Sequence, residues 1–192
     1  MIFETIVTTQ SADGRVHIAP MGVREVDDFV ELAPFRPSTT LDNILARGCA
    51  VVNFTDDVRI FAGCVTGRRH DWPTQPAERV FCMRLSHALA HAELVLDRVE
   101  EDELRPRLLC RRAYDASHQP FRGFNRAQAA VIEAAILVSR LRMLPAEKID
   151  AELAYLTIAI EKTAGEAEQE AWGWLLDRIR DYRRSHKDRA LV

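Results

Sequence analysis

Along the first third of the chain, apolar and β-branched residues alternate with polar ones, the period-two signature of half-buried strands. Residues 3–9 and 16–19 flank the turn residues Ser11-Ala-Asp-Gly14, which predicts a hairpin, and residues 29–33 add a third antiparallel strand closed by Pro34 and Pro37. Ser38, Thr39 and Thr40 stand ahead of a short helix carrying Leu41, Ile44 and Leu45, which Gly48 ends. Residues 49–54 form a continuous apolar run, the pattern of a strand buried on both faces. A second short helix follows, capped by Asp56, with Val58, Phe61, Ala62 and Val65 on one side and Gly67 past its end. Residues 68–78 have no period, and two prolines with Trp72 predict a long loop of the kind that often carries function.

Strand-like stretches return over residues 81–85, 91–99 and 105–114, the last pushed towards an edge by Pro106. After Phe121-Arg-Gly-Phe124 the period changes to that of helices. Residues 127–144 are apolar almost all round, as in a helix buried on most sides. Pro145 opens a second helix with an Ile149, Leu153, Leu156, Ile160 stripe, and Gly165 ends it. A third carries Trp172, Leu175, Leu176 and Ile179, with Glu166, Glu168 and Glu170 early and Arg180, Arg183 and Arg184 late, matching the helix dipole. The expected fold class is α+β: six or so antiparallel strands over residues 1–118, closed fully or partly into a barrel with two inserted helices, then a three-helix appendage over residues 119–192.

Composition changes this picture little. At 192 residues, 47% hydrophobic and with net charge −3, the chain can build a core without staples and gives no reason to expect a nucleic-acid or membrane partner. Cys49, Cys64, Cys82 and Cys110 form no C-x-x-C pair, and the chain does not begin with a basic-then-apolar segment. Reduced thiols and a cytoplasmic location are expected.

Candidate chemistry begins at Pro20-Met21-Gly22, where a residue without an N–H and one without a side chain interrupt a strand. That pattern fits a bulge or strand end, or a flat ligand laid against bare backbone. Ser38-Thr39-Thr40 fits an N-cap, or a phosphate at the positive end of a helix with Arg36 upstream as a charge partner. Asn53 and Thr55 flank Phe54 at a strand end, suited to a heterocycle edge or to capping the next helix. Arg126, Glu133 and Arg140 recur every seven residues on the long apolar helix, where a charge needs a partner across a subunit boundary or on a bound anion. Arg126, beside Asn125 at the helix start, is the one best placed for a ligand phosphate. His87 and His91 have helical metal-ligand spacing but lie in a strand-like context without the Glu a metalloprotease needs, so no metal site is predicted. The chain lacks a Gly-rich phosphate loop, a G-x-S-x-G elbow and a dinucleotide fingerprint, which disfavours hydrolytic and Rossmann chemistry.

Taken in order, Phe3-Glu-Thr-Ile-Val-Thr-Thr9, Asp13-Gly14, Ala19-Pro-Met-Gly-Val23, Thr40-x-x-Asn43, Val52-Asn-Phe-Thr-Asp56 and Phe124-Asn-Arg-Ala127 resemble the proteins grouped as domain of unknown function 447, within the flavin-reductase-like, FMN-binding split β-barrels. The resemblance implies a homodimer with FMN near the subunit boundary. Pro20, Met21 and Gly22 would line the isoalloxazine, Thr39, Thr40 and Asn43 would meet the ribityl phosphate, and Asn53 and Thr55 would sit beside the ring. Leu41 stands where an aromatic is expected. The function this implies is an FMN-dependent oxidoreductase of unknown substrate, with NAD(P)H and a pterin as candidate partners. A flavin-binding protein without turnover, serving sensing or electron relay, and a structural dimer with an empty pocket are the alternatives. The apolar excess of residues 127–144 independently predicts a homodimer. No acid–base pair stands out, so no catalytic residue is named.

Overall fold

The computed structural model describes residues 1–187. The elements run β1 (Ile2–Gln10), β2 (Val16–Val26), β3 (Phe29–Leu32), α1 (Thr39–Arg47), β4 (Cys49–Phe54), α2 (Arg59–Thr66), β5 (Thr74–Pro76), β6 (Met83–Leu85), β7 (Ala90–Glu100), β8 (Arg107–Ser117), α3 (Arg126–Ser139), α4 (Ala146–Thr163) and α5 (Glu166–Lys187). Six strands close an antiparallel barrel in the order β1-β2-β3-β8-β7-β4, while β5 and β6 pair as a separate two-stranded sheet. Among the described residues no helix is long and apolar enough to cross a membrane.

The chain divides into two compact units. The first holds residues 1–56 and 71–121, the second residues 57–70 and 122–192. The expected barrel forms, but α2 belongs to the helical unit instead of sitting as an insertion in the barrel. Its Ala62, with Val58 at its N-cap, joins Ala127, Ala130, Val131, Ala134, Trp172 and Leu175 in one core.

Alternation fixes the barrel interior. Val7, Val23, Val30, Leu32, Val52, Ala92, Leu94 and Leu108 turn inward and are closed over by Leu41 and Ile44 of α1. Ser38 accepts from the Leu41 N–H at 3.2 Å to start α1, and Gly48, at φ 69°, ends it in the left-handed conformation that favours glycine. β8 is an interior strand between β3 and β7, contrary to the edge expected from Pro106. The strand begins one residue after that proline, so the missing N–H costs no ladder bond.

In the helical unit, α3 stops at Ser139, short of the expected Leu144, and a turn follows in which the Met143 N–H bonds the Arg140 carbonyl at 2.9 Å. Its apolar surface packs on α2, α4 and α5 of the same unit, which supplies the cover that the sequence reading assigned to a second copy. Glu133 and Arg140 are exposed, so neither is a buried charge in need of a partner.

Candidate functional site

The register places Ile6, Asn53 and His91 in one row across β1, β4 and β7, and Thr8, Val51 and Glu93 in the next. These side chains alternate with the inward Val7, Val52 and Ala92, so they lie on the outer face of the barrel. They are nonetheless buried, because the β5–β6 hairpin and its loop cover them. An irregular segment laid on a sheet brings backbone groups that need partners, and the outer face supplies them. Asn53 Oδ1 accepts from the Leu85 N–H at 2.8 Å, and Thr8 Oγ1 donates to the Met83 carbonyl at 2.6 Å. Glu93 accepts from three successive N–H groups, those of Glu78 (2.6 Å), Arg79 (2.6 Å) and Val80 (2.9 Å).

Glu93 also receives His91 Nε2–H at 3.1 Å, and the other nitrogen of that ring, Nδ1, lies 2.9 Å from His118 Nε2. The two imidazoles are nearly parallel, 7° apart, and Tyr114 lies 5.9 Å from His91. Glu93 and His91 are wholly buried while His118 is exposed, so the three form a line from the interior to solvent. Burial pushes the Glu93 carboxyl up, but the N–H groups of Glu78 and Arg79, the His91 ring and the Val80 N–H outweigh it and hold it below its ordinary value. It is therefore an anion inside the protein.

The residues singled out in the sequence fall into four places. Pro20, Met21 and Gly22 are half-buried on β2, opposite Ile6, Thr5 and Glu4 of β1. Among the described residues β2 pairs with β3 only from Val23 to Val26, so the Pro20 stretch does lie on an edge that β3 leaves uncovered. The glycine has a reason inside the sheet: a Cβ on Gly22 would come within 2.9 Å of Ile2 Cγ2. Around α1, Ser38 is spent as the cap, Thr39 is exposed, Thr40 is buried, and Asn43 donates to Thr9 Oγ1 at 3.0 Å. Arg36 pairs with Glu101 at 2.8 Å.

Asn53 is wholly buried, and its Nδ2 group bonds the Ile6 carbonyl (3.0 Å) and Thr8 Oγ1 (3.2 Å), which commits the amide to the protein and not to a ring edge. Thr55 follows it just past the strand, half-buried. Asn125 and Arg126 are in the helical unit, where Asn125 caps α3 by accepting from the Ala127 N–H at 2.7 Å and Arg126 is exposed.

One mouth of the barrel holds a cavity of about 200 Å³, lined by Phe3, Val23, Glu25, Val30, Phe54 and Arg112, with Glu25 and Arg112 ion-paired across it. That is below the roughly 300–1,000 Å³ of pockets that enclose cofactor-sized ligands, so a flavin cannot enter it whole.

The family model described as "Protein of unknown function (DUF447) N-terminal domain" matches residues 3–119, and that of "Protein of unknown function (DUF447)" matches residues 125–177. The chain belongs to the DUF447 family. A crystal structure of an FMN-bound DUF447 protein from Methanosarcina mazei superposes with a TM-score of 0.78 at 18% identity, covering 92% of this chain and 94% of that one. The 2-nitrobenzoate 2-nitroreductase of Pseudomonas fluorescens gives 0.52 at 18% identity, over 60% of this chain and 64% of that one. Flavoredoxin of Desulfovibrio vulgaris gives 0.51 at 14%, over 60% and 69%. No curated protein matches the chain. The likenesses establish the split-barrel fold of this DUF447 protein. Sequence reasoning missed the Glu93–His91–His118 line because His118 is 25 or more residues from its partners and joins them through the pairing of β7 with β8. The available signal was two polar residues, His91 and Glu93, spaced by two inside an otherwise strand-like run.

Proposed function

We propose that this protein is an FMN-binding flavoprotein that acts as an FMN-dependent oxidoreductase. The observation that carries the reading is the likeness, over nearly the whole of both chains, to an FMN-bound member of its own family. The residues present fit the group. Thr39 exposes its hydroxyl in the first turn of α1, where backbone N–H groups have no helical carbonyl to bond and the dipole favours an anion. Thr40 and Asn43 are buried, Asn43 ties the helix to Thr9 of β1, and Arg36 can add charge by leaving Glu101. The uncovered β2 edge at Pro20-Met21-Gly22 offers bare backbone to a flat ring. Once bound, the flavin supplies the electron transfer, and the chain supplies position and electrostatics.

NAD(P)H as electron donor, a pterin as substrate and a homodimer as the working form are the finer parts of this reading. The dimer has support in a groove of about 240 Å³ between α3 and α4, where Arg126 and Glu133 flank the exposed Tyr155 and Ile158. The test is an absorption spectrum of protein incubated with FMN and gel-filtered, before and after anaerobic NADH or NADPH. A retained flavin band that bleaches is expected. Loss of the band on filtration refutes FMN binding, and a retained band that neither nucleotide bleaches refutes the NAD(P)H-linked oxidoreductase in favour of a carrier or sensor.

A further inference from the structure

We infer that Glu93, His91 and His118 form a proton relay that makes His118 a surface general base for ligands bearing a weakly acidic O–H or N–H group. The relay is set by the positions of these three side chains alone and involves no flavin atom, so it stands apart from the flavin reading. Ionised Glu93 can only accept, which puts the proton of a neutral His91 on Nε2 and leaves a lone pair on Nδ1. His118 Nε2 must then donate to that lone pair, at 2.9 Å. The bonding thereby fixes both tautomers and leaves the basic Nδ1 of His118 for a ligand.

When a ligand gives its proton to His118 Nδ1, the Nε2 proton can pass to His91 Nδ1. His91 becomes an imidazolium held against the Glu93 carboxylate, and the ligand is left as an anion. One proton enters and one positive charge is stored, with no other bond broken. The side chains electrostatically engaged with the relay are Arg84 of β6, Glu78 of the covering loop and Tyr114 of β8. Partial desolvation, then the Arg84 charge, hold His118 below its ordinary imidazole value, against the opposing pull of Glu78. A base kept free at neutral pH beside a guanidinium suits a ligand that leaves as an anion. His118 is the residue that would touch the ligand, and His91 and Glu93 are positioning residues.

Diethyl pyrocarbonate probes this lone pair directly. The Nδ1 attacks the anhydride carbonyl, ethyl carbonate leaves, and the Nε2 proton moves to His91. His87 and His186 are also exposed and serve as internal standards in the same chain. At pH 7, peptide mass spectrometry should show His118 modified about tenfold or more faster than either. The excess should vanish in His91→Phe and Glu93→Gln proteins whose circular dichroism matches the parent. Equal rates, or an excess that survives His91→Phe, overturns the relay. A second measurement needs no variant: nitrogen-15 shifts at pH 8 should show His91 and His118 both protonated at Nε2, and a His118 that exchanges freely between tautomers would contradict the assignment.

Discussion

Glu93 and Leu94 are neighbours on β7 and both are wholly buried, yet they do opposite work. Leu94 points into the barrel and is held by apolar contact. Glu93 points outward and is held by three backbone N–H groups and an imidazole, because the other side of its face is a hairpin loop and not a core. The inner face needs shape and volume. The outer face needs hydrogen-bond acceptors and donors in register with the segment it seats, and a β-barrel can thus be buried on both faces without being apolar on both.

The largest effect is expected at Glu93 itself. Glu93→Ala leaves buried donors unanswered and should cost about 3–5 kcal/mol at pH 7, read by urea unfolding. Because the folded carboxyl is held below its ordinary value of 4.5, the stability it gives is present above that value and is lost as pH falls through the folded one. The gap between parent and variant should therefore narrow below about pH 4.5. Leu94→Ala should cost about 2–5 kcal/mol through transfer and cavity terms, with no such narrowing. A pH-dependent Leu94 variant, or a pH-independent Glu93 variant, would erase the distinction between the faces.

Asn53→Ala acts on the same outer face. The Leu85 N–H loses its acceptor, which should cost about 1–3 kcal/mol. Hydrogen exchange should rise at residues 74–85 before it rises in the barrel strands, and uniform loosening would contradict the seating role. The smallest effect is at the thiols. Burial pushes Cys64 to about 11 and is the first cause raising Cys82 and Cys110 to about 12, so native protein at pH 8 should leave these three unalkylated by iodoacetamide until it unfolds.

The inner face was legible in the chain. Val7, Val23, Val30 and Leu32 follow the period of two, and β-branched runs with turn residues between them read as a meander. The outer face was legible only at β4, whose apolar run over residues 49–54 predicts burial on both sides; on β1 and β7 it was not, because burial there depends on a loop with no period of its own. Residues 68–78 read as a long loop of the kind that often carries function, although β5 within them pairs with β6 and the hairpin covers polar side chains from β1, β4 and β7. The place of α2 was hidden for a related reason: its stripe of Val58 and Ala62 is the same whether it packs on a barrel or on α3 and α5, and only the contacts choose. At the candidate site, the cap at Ser38 and the uncovered edge at Pro20 were readable from local chemistry. The bonds of Asn53 to Leu85 and of Arg36 to Glu101 were not, since they span 32 and 65 residues.

The proposed phosphate site in the first turn of α1 is tested by titrating FMN and riboflavin against the parent protein and Thr39→Ala by fluorescence. A hydrogen bond to a charged acceptor is worth about 1.5–3 kcal/mol, so the variant should bind FMN roughly ten- to a hundred-fold more weakly. Riboflavin, which lacks the phosphate, should bind both proteins alike. Equal weakening of the two ligands, or no change in either, rules out a phosphate site at Thr39.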